Sequence, residues 1–200
     1  MFDRLILPWQ KRILAPPARR LARLGVQADT LTIAGFILGL AAVPAIASGR
    51  PLLGLGAILA NRLLDGLDGA VARIAGPTDR GAFLDIALDF FFYACIPLAF
   101  ALADPAANAL AACALVVAFV GTGSSFLAFA AVAARDPSAA READKGIRYL
   151  GGLTEGGETV AFFVAICLWP AAFPLLAWIF AAACLLTTLS RWIAGWRTFG

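Results

Sequence analysis

Asn61-Arg62-Leu63-Leu64-Asp65-Gly66-Leu67-Asp68-Gly69-Ala70-Val71-Ala72-Arg73, followed after seven residues by Gly81-Ala82-Phe83-Leu84-Asp85-Ile86-Ala87-Leu88-Asp89, sets four carboxylates into two otherwise apolar segments. Asp65 and Asp68 are three residues apart and Asp85 and Asp89 four apart, so each pair shares one face of a helix. The Gly76-Pro77 turn between the segments predicts antiparallel neighbours whose acidic faces converge. The surroundings make these segments helices. The chain of 200 residues is 62% hydrophobic and 14% charged, with a mean hydropathy of +0.85, whereas a soluble domain is about half apolar and a quarter charged. Its apolar runs approach the roughly 20 residues that cross a bilayer. In lipid, a backbone with no water to bond must be helical.

Six spans are expected, near residues 31–48, 52–74, 82–103, 106–134, 153–169 and 173–193. Gly49, Pro51, the Gly76-Pro77 turn, Asp104-Pro105 and Trp169-Pro170 punctuate them, with a polar connector over 135–152. Gly121, Gly123, Ser124 and Ser125 are expected to bend the fourth. The fold class is thus an all-α integral membrane protein with six transmembrane helices and an N-terminal amphipathic interfacial helix. Residues 1–27 form the interfacial segment and 28–200 the six-helix membrane domain. Phe2, Leu5, Ile6, Trp9 and Ile13 recur at helical spacing among basic residues, as in a segment lying on an anionic leaflet. Arg4, Lys11, Arg12, Arg19, Arg20 and Arg23 interrupt that stretch, and prolines 8, 16 and 17 break it, so no secretory signal is expected there.

The basic residues sort by side. Six precede the first span, Arg73 and Arg80 flank the second connector, Arg135, Arg141, Lys145 and Arg148 fill the fourth, and Arg191 and Arg197 close the chain. The odd-numbered connectors hold only Arg50. By the positive-inside rule, both termini and the acidic cluster face the cytoplasm, which in a bacterium means the inner membrane.

Chemistry is bounded by what is missing. With no histidine, acid–base work and metal ligation fall to carboxylates, and oxygen-only ligation suits magnesium, manganese or calcium. Cys95, Cys113, Cys167 and Cys184 lie in apolar runs without metal-type spacing and read as buried small hydrophobes. No nucleic-acid partner is expected. Each uncompensated carboxylate near the bilayer centre costs about 2.5–3.5 kcal/mol. Divalent cations turn such a cluster into a ligand set and make an electropositive seat for phosphate. Gly66, Gly69 and Ala72 let a substrate approach the backbone, and Arg73 is placed to pair with a phosphate or an aspartate. An ion or proton transporter with an aspartate relay is the alternative, but it gives no reason for the glycine, alanine and arginine spacing.

The pattern Asp65-x2-Asp68-Gly69-x2-Ala72-Arg73-x7-Gly81-x3-Asp85-x3-Asp89 resembles the complete signature of the CDP-alcohol phosphatidyltransferase family, eight specified positions within 25 residues. The resemblance implies a metal-dependent enzyme of phospholipid biosynthesis. It would transfer a phosphatidyl or phosphoalcohol group from a CDP-alcohol donor, CDP-diacylglycerol favoured, to a hydroxyl acceptor with release of CMP. It implies that Asp65, Asp68, Asp85 and Asp89 ligate two divalent ions, Mg2+ or Mn2+, and that Asp89 is also the base. It further implies that Asp68, Gly69, Ala72 and Arg73 line the CDP site, and that two subunits pair as a homodimer.

Outside the signature the reading branches. Asp29 is expected to cap the first span, and Asp29 and Thr32 are also candidates for base or ribose contacts. Lys145 and Arg148 are candidates to bind an acceptor phosphate, or simply fix topology. Glu155 and Glu158 share a face at a helix start, where acids are favoured in any case, and could instead hold a polyol or a cationic head group. Arg62 either snorkels or pairs with a carboxylate and is assigned no catalytic role.

Overall fold

The structure, a computed structural model, describes residues 3–135 and 152–199, with side chains from Arg12 onward. Every regular element among them is helical: α1 (Asp3–Arg23), α2 (Ala28–Leu40), α3 (Ala42–Ala47), α4 (Pro51–Ala75), α5 (Asp79–Ala103), α6 (Pro105–Ala133), α7 (Gly156–Leu168) and α8 (Phe173–Phe199), with a 3-10 turn at Pro170–Ala172. Four stretches are long and apolar enough to cross a bilayer, namely Ala28–Ala47, Asp79–Ala103, Pro105–Ala133 and Pro170–Phe199. The other two expected spans differ for separate reasons. Helix α4 has the length, at 25 residues, but carries Arg62, Asp65, Asp68 and Arg73; α7 has 13 residues.

Local sequence explains the boundaries. Pro44 has no N–H to give the carbonyl of Leu40, and the first span breaks there into α2 and α3. Helices α4 and α6 each begin with proline in the first turn, Pro51 and Pro105, where no intrahelical donor is needed. Asp104 caps α6, its Oδ1 accepting from the Ala107 amide at 3.1 Å. Helix α6 runs unbroken through 121–125, where Thr122, Ser124 and Ser125 return their hydroxyls to carbonyls three residues back.

The surface, like the interior, carries many large apolar side chains, the arrangement of a protein solvated by lipid. Leu110, Val120, Phe91 and Ile179 all stand largely exposed, which water would not tolerate at this density. The main core runs through α3 to α8 around Phe92, Ile96, Leu115, Phe163 and Ile166. Its rings interlock, with Phe100 stacked on Phe173 and Phe162 on Phe180, both at 4.5 Å. A second core joins α1 to α2 and α4 through Leu14, Ala18, Leu31, Ala70 and Val71. Cys167 and Cys184 are buried as expected, but Cys113 is exposed on the apolar surface; all four thiols are free.

One packing detail shapes the site. Helices α4 and α5 make little backbone contact with each other, while α2 packs on both. A Cβ on Gly39 of α2 would lie 2.9 Å from Asn61 Cβ on α4 and 2.9 Å from a Phe92 ring carbon on α5. Bare backbone therefore enters between them. The two backbones are held apart, and the acidic side chains meet across the gap between them.

Candidate active site

The acidic gap is built from the connector upward. Helix α4 stops at Gly76, and Thr78 starts α5, its hydroxyl accepting from the Gly81 amide at 3.0 Å. Gly81 is needed for its lack of side chain, since a Cβ would sit 3.0 Å from Asp29 Oδ1 and 3.1 Å from Thr78 Oγ1. With that room, Asp29 reaches Arg80 and accepts from its Nε at 2.7 Å and its Nη2 at 2.6 Å. The expected capping role for Asp29 is therefore corrected. The helix starts at Ala28 after an extended Gln27, which puts Asp29 inside the first turn and turns its carboxylate to the α4–α5 connector.

Asp65, Asp68 and Asp85 converge. Each offers a carboxylate oxygen, and the three atoms lie within 4.8 Å of one another. Asp68 is buried and Asp85 exposed, so the cluster spans from the helix interior to an opening. Thr32 donates to Asp68 Oδ2 at 2.6 Å and fixes that carboxylate from α2. Two of the three, Asp68 and Asp85, wall a cavity of about 420 Å3 that also takes in Asp29, Thr32, Gly69 and Ala72. Arg73 stands off this wall, exposed, its guanidinium alongside Gly69, where a Cβ would be 3.4 Å from Nη1.

Asp89 stands outside the trio. Arg62 grips both of its oxygens, Nη2 to Oδ1 at 2.5 Å and Nη1 to Oδ2 at 2.9 Å. The same Nη1 donates to Tyr93 at 2.9 Å and lies 3.6 Å from Asp65 Oδ2.

A second cavity of about 170 Å3 adjoins through Tyr93, which lines it with Thr122, Thr154, Glu155, Thr159 and Arg191. Arg191 donates to the Thr122 carbonyl at 3.0 Å and lies over the Phe126 ring at 5.7 Å. Glu155 lines the cavity and is also the N-cap of α7, in a capping box in which Glu158 accepts from the Glu155 amide at 3.2 Å, the helix-start role that both positions allowed. Lys145 and Arg148 lie outside the described residues. Sequence reasoning left Arg191, Arg80, Thr78 and Tyr93 without a site role. Arg191 and Arg80 were visible only as basic residues sorting by side, and nothing local marks the other two.

The donor set suits a hard divalent cation. Three carboxylate oxygens, with no cysteine among the described residues of the cluster, no histidine in the chain and one acid exposed, match the oxygen ligation of Mg2+ or Mn2+. One or two such ions would also offset the charge that three acids bring to an apolar helix pair.

Helices long and apolar enough to span lipid, this carboxylate trio and the glycine-lined cavity beside it define a membrane protein with a seat for a divalent cation. The sequence profile of the CDP-alcohol phosphatidyltransferases matches residues 26–190, and the chain belongs to that family. It is a metal-dependent CDP-alcohol phosphotransferase of phospholipid biosynthesis and a membrane protein. Its relatives include the inner membrane protein YnjF of Escherichia coli (strain K12), 52% identical over 99% of this chain and 97% of the relative. An archaetidylinositol phosphate synthase of Methanothermobacter thermautotrophicus is 41% identical over 41% of each chain. Among solved structures, the phosphatidylinositol phosphate synthase PgsA1 of Mycobacterium tuberculosis with CDP-DAG bound superposes with a TM-score of 0.66 at 26% identity, covering 92% of this chain and 94% of that one. The same synthase in complex with manganese and citrate gives 0.64, at 26% identity and over 92% and 88% of the two chains. The transporter alternative falls with the family assignment.

Proposed function

We propose that the protein transfers the phosphatidyl group of CDP-diacylglycerol to a hydroxyl of a phosphorylated polyol of the inositol phosphate kind, releasing CMP. The observation that carries this reading is a carboxylate trio, two of whose members, Asp68 and Asp85, line a cavity together with Gly69 and Ala72. The donor is taken from the synthase that superposes with CDP-DAG bound. The acceptor class follows from the second cavity, where Arg191 suits a phosphate and Glu155, Thr154 and Thr159 suit hydroxyls.

Within this reading Asp65, Asp68 and Asp85 hold the divalent ions, two in number, and Mn2+ or Mg2+ serves. Bound there, the cations would neutralise the diphosphate and the charge that grows on departing CMP. Gly69 and Ala72 let the diphosphate lie close to α4. Asp29 and Thr32 face the nucleotide from α2, and Arg73 closes on a phosphate from outside the wall. Asp89, with both oxygens on the fork of Arg62, takes the proton from the acceptor hydroxyl and is left out of the ligand set. The acceptor oxygen then bonds to the phosphorus carrying diacylglycerol as the bond to CMP breaks.

An apolar groove between α5 and α6, lined by Phe83, Ile86, Phe90 and Val120, suits the donor's acyl chains. Six spans, with α4 and α7 completing the four apolar helices, put both termini and the site on the cytoplasmic side of the inner membrane. Helix α1 lies on the leaflet, Arg12, Arg19 and Arg20 outward and Leu14 and Ala18 against the protein. A homodimer is proposed on family likeness.

Purified protein given CDP-diacylglycerol and a panel of alcohols should release CMP with inositol phosphate and stay near background with serine or free inositol; the reverse ranking would refute the acceptor assignment. Chelation should stop turnover, and Mn2+ or Mg2+ should restore it. In the presence of metal, CMP should raise the unfolding temperature, by about 2.7 kcal/mol of stabilisation at a hundredfold excess over its dissociation constant. Arg191→Ala should raise KM for the phosphorylated acceptor roughly 10–100-fold while KM for CDP-diacylglycerol holds. An equal rise in both would remove Arg191 from the acceptor site.

A further inference from the structure

We infer that Arg62 is the positioning residue of the reaction: it fixes the carboxylate of Asp89 in the orientation that proton transfer requires and holds it out of the metal-binding trio. The inference rests on the reading of Asp89 as base and of Asp65, Asp68 and Asp85 as the metal seat.

Arg62 is held from every side. Its Nε donates to Asn61 Oδ1 at 2.7 Å, and Asn61 is itself fixed to α2 by Nδ2 donating to the Gly35 carbonyl at 3.0 Å. Its guanidinium lies against two rings, 5.3 Å from the Phe92 centroid and 5.1 Å from that of Tyr93. What remains of the fork meets Asp89 at two points, from one helix to the next. The Arg62 side chain is 12% exposed and that of Asp89 30%.

Stability does not account for this much apparatus. A buried ion pair is often no better than hydrophobic residues of the same volume. A planar two-point grip does something a point charge does not, which is to set the plane of the carboxylate. Released, Asp89 would be one helical turn from Asp85 on a short, mobile side chain, beside three acids that attract cations. It would then turn toward a bound cation as a further ligand, and the base would be lost. Arg62 also lies 3.6 Å from Asp65, so its charge opposes cation binding at the trio. Its removal therefore has opposite effects on metal affinity and on turnover, which a merely structural residue does not.

The test measures Mn2+ affinity, by titration calorimetry or electron paramagnetic resonance, alongside kcat and KM for wild type, Arg62→Lys and Arg62→Gln. Wild-type release of CMP from CDP-diacylglycerol is the control for the parent reading; its absence removes that reading before any variant is compared. Given wild-type turnover, both variants should lose about 100-fold in kcat, as expected for a misplaced reacting group, with KM for the donor within a few-fold. Arg62→Gln should bind Mn2+ several-fold more tightly, having lost a neighbouring cation. Arg62→Lys keeps the charge and should bind it as wild type does. Wild-type kcat in either variant would overturn the inference. So would a parallel loss of Mn2+ affinity, CMP binding and thermal stability, the pattern of a disrupted fold.

Discussion

Replacing Asp89 with asparagine should lower kcat by roughly 10²–10⁴-fold, the range that a positioned general base supplies. The cause is specific to the proton. Asparagine has the shape of aspartate and keeps one side-chain oxygen for the fork of Arg62, so helices α4 and α5 should stay as they are. It has no basic oxygen to take the acceptor's proton. Metal-dependent protection by CMP should accordingly persist in Asp89→Asn. Retention of more than about a tenth of wild-type kcat would strip Asp89 of the base role, since a general base is worth at least 10²-fold.

Asp68→Asn should fail differently. Asp68 is 5% exposed and accepts from Thr32 at 2.6 Å, and asparagine preserves that hydrogen bond while removing the charge. Because Asp68 both belongs to the trio and lines the 420 Å3 cavity, turnover and CMP protection should disappear together. The missing protection is the roughly 2.7 kcal/mol that a hundredfold excess of CMP gives the wild type. The check is a pair of unfolding curves with metal, with and without CMP, for wild type and both variants. Protection retained in Asp68→Asn would separate the nucleotide pocket from the metal seat.

The acidic cluster was legible because lipid makes a carboxylate costly: four in two apolar segments, at helical spacing, leave few explanations. The helical order was legible from apolar run length and from Gly and Pro at the breaks. What stayed hidden depends on atoms far apart in the chain. Asp29 has the residue type and position of a cap, yet the helix begins one residue before it, and only Gly81, 52 positions on, leaves room for its pairing with Arg80. The gap between α4 and α5 comes from Gly39 entering between Asn61 and Phe92, a tertiary fit no spacing rule reports. Arg62 was visible as an anomaly, a cation in an apolar helix three residues before Asp65. Its partner, 27 positions away, was not. Arg191 joined the second cavity through Thr122, 69 positions earlier, while in the sequence it reads as one more residue of the basic end.

The cation-gripping acids on α4 and α5 are tested most directly by anomalous diffraction from crystals soaked in Mn2+ and CMP. Peaks should appear between Asp65, Asp68 and Asp85, with metal–oxygen distances of roughly 2.1 Å and a CMP phosphate oxygen on the same ion. Manganese found elsewhere, with these three side chains turned apart and the nucleotide bound without it, would contradict the account.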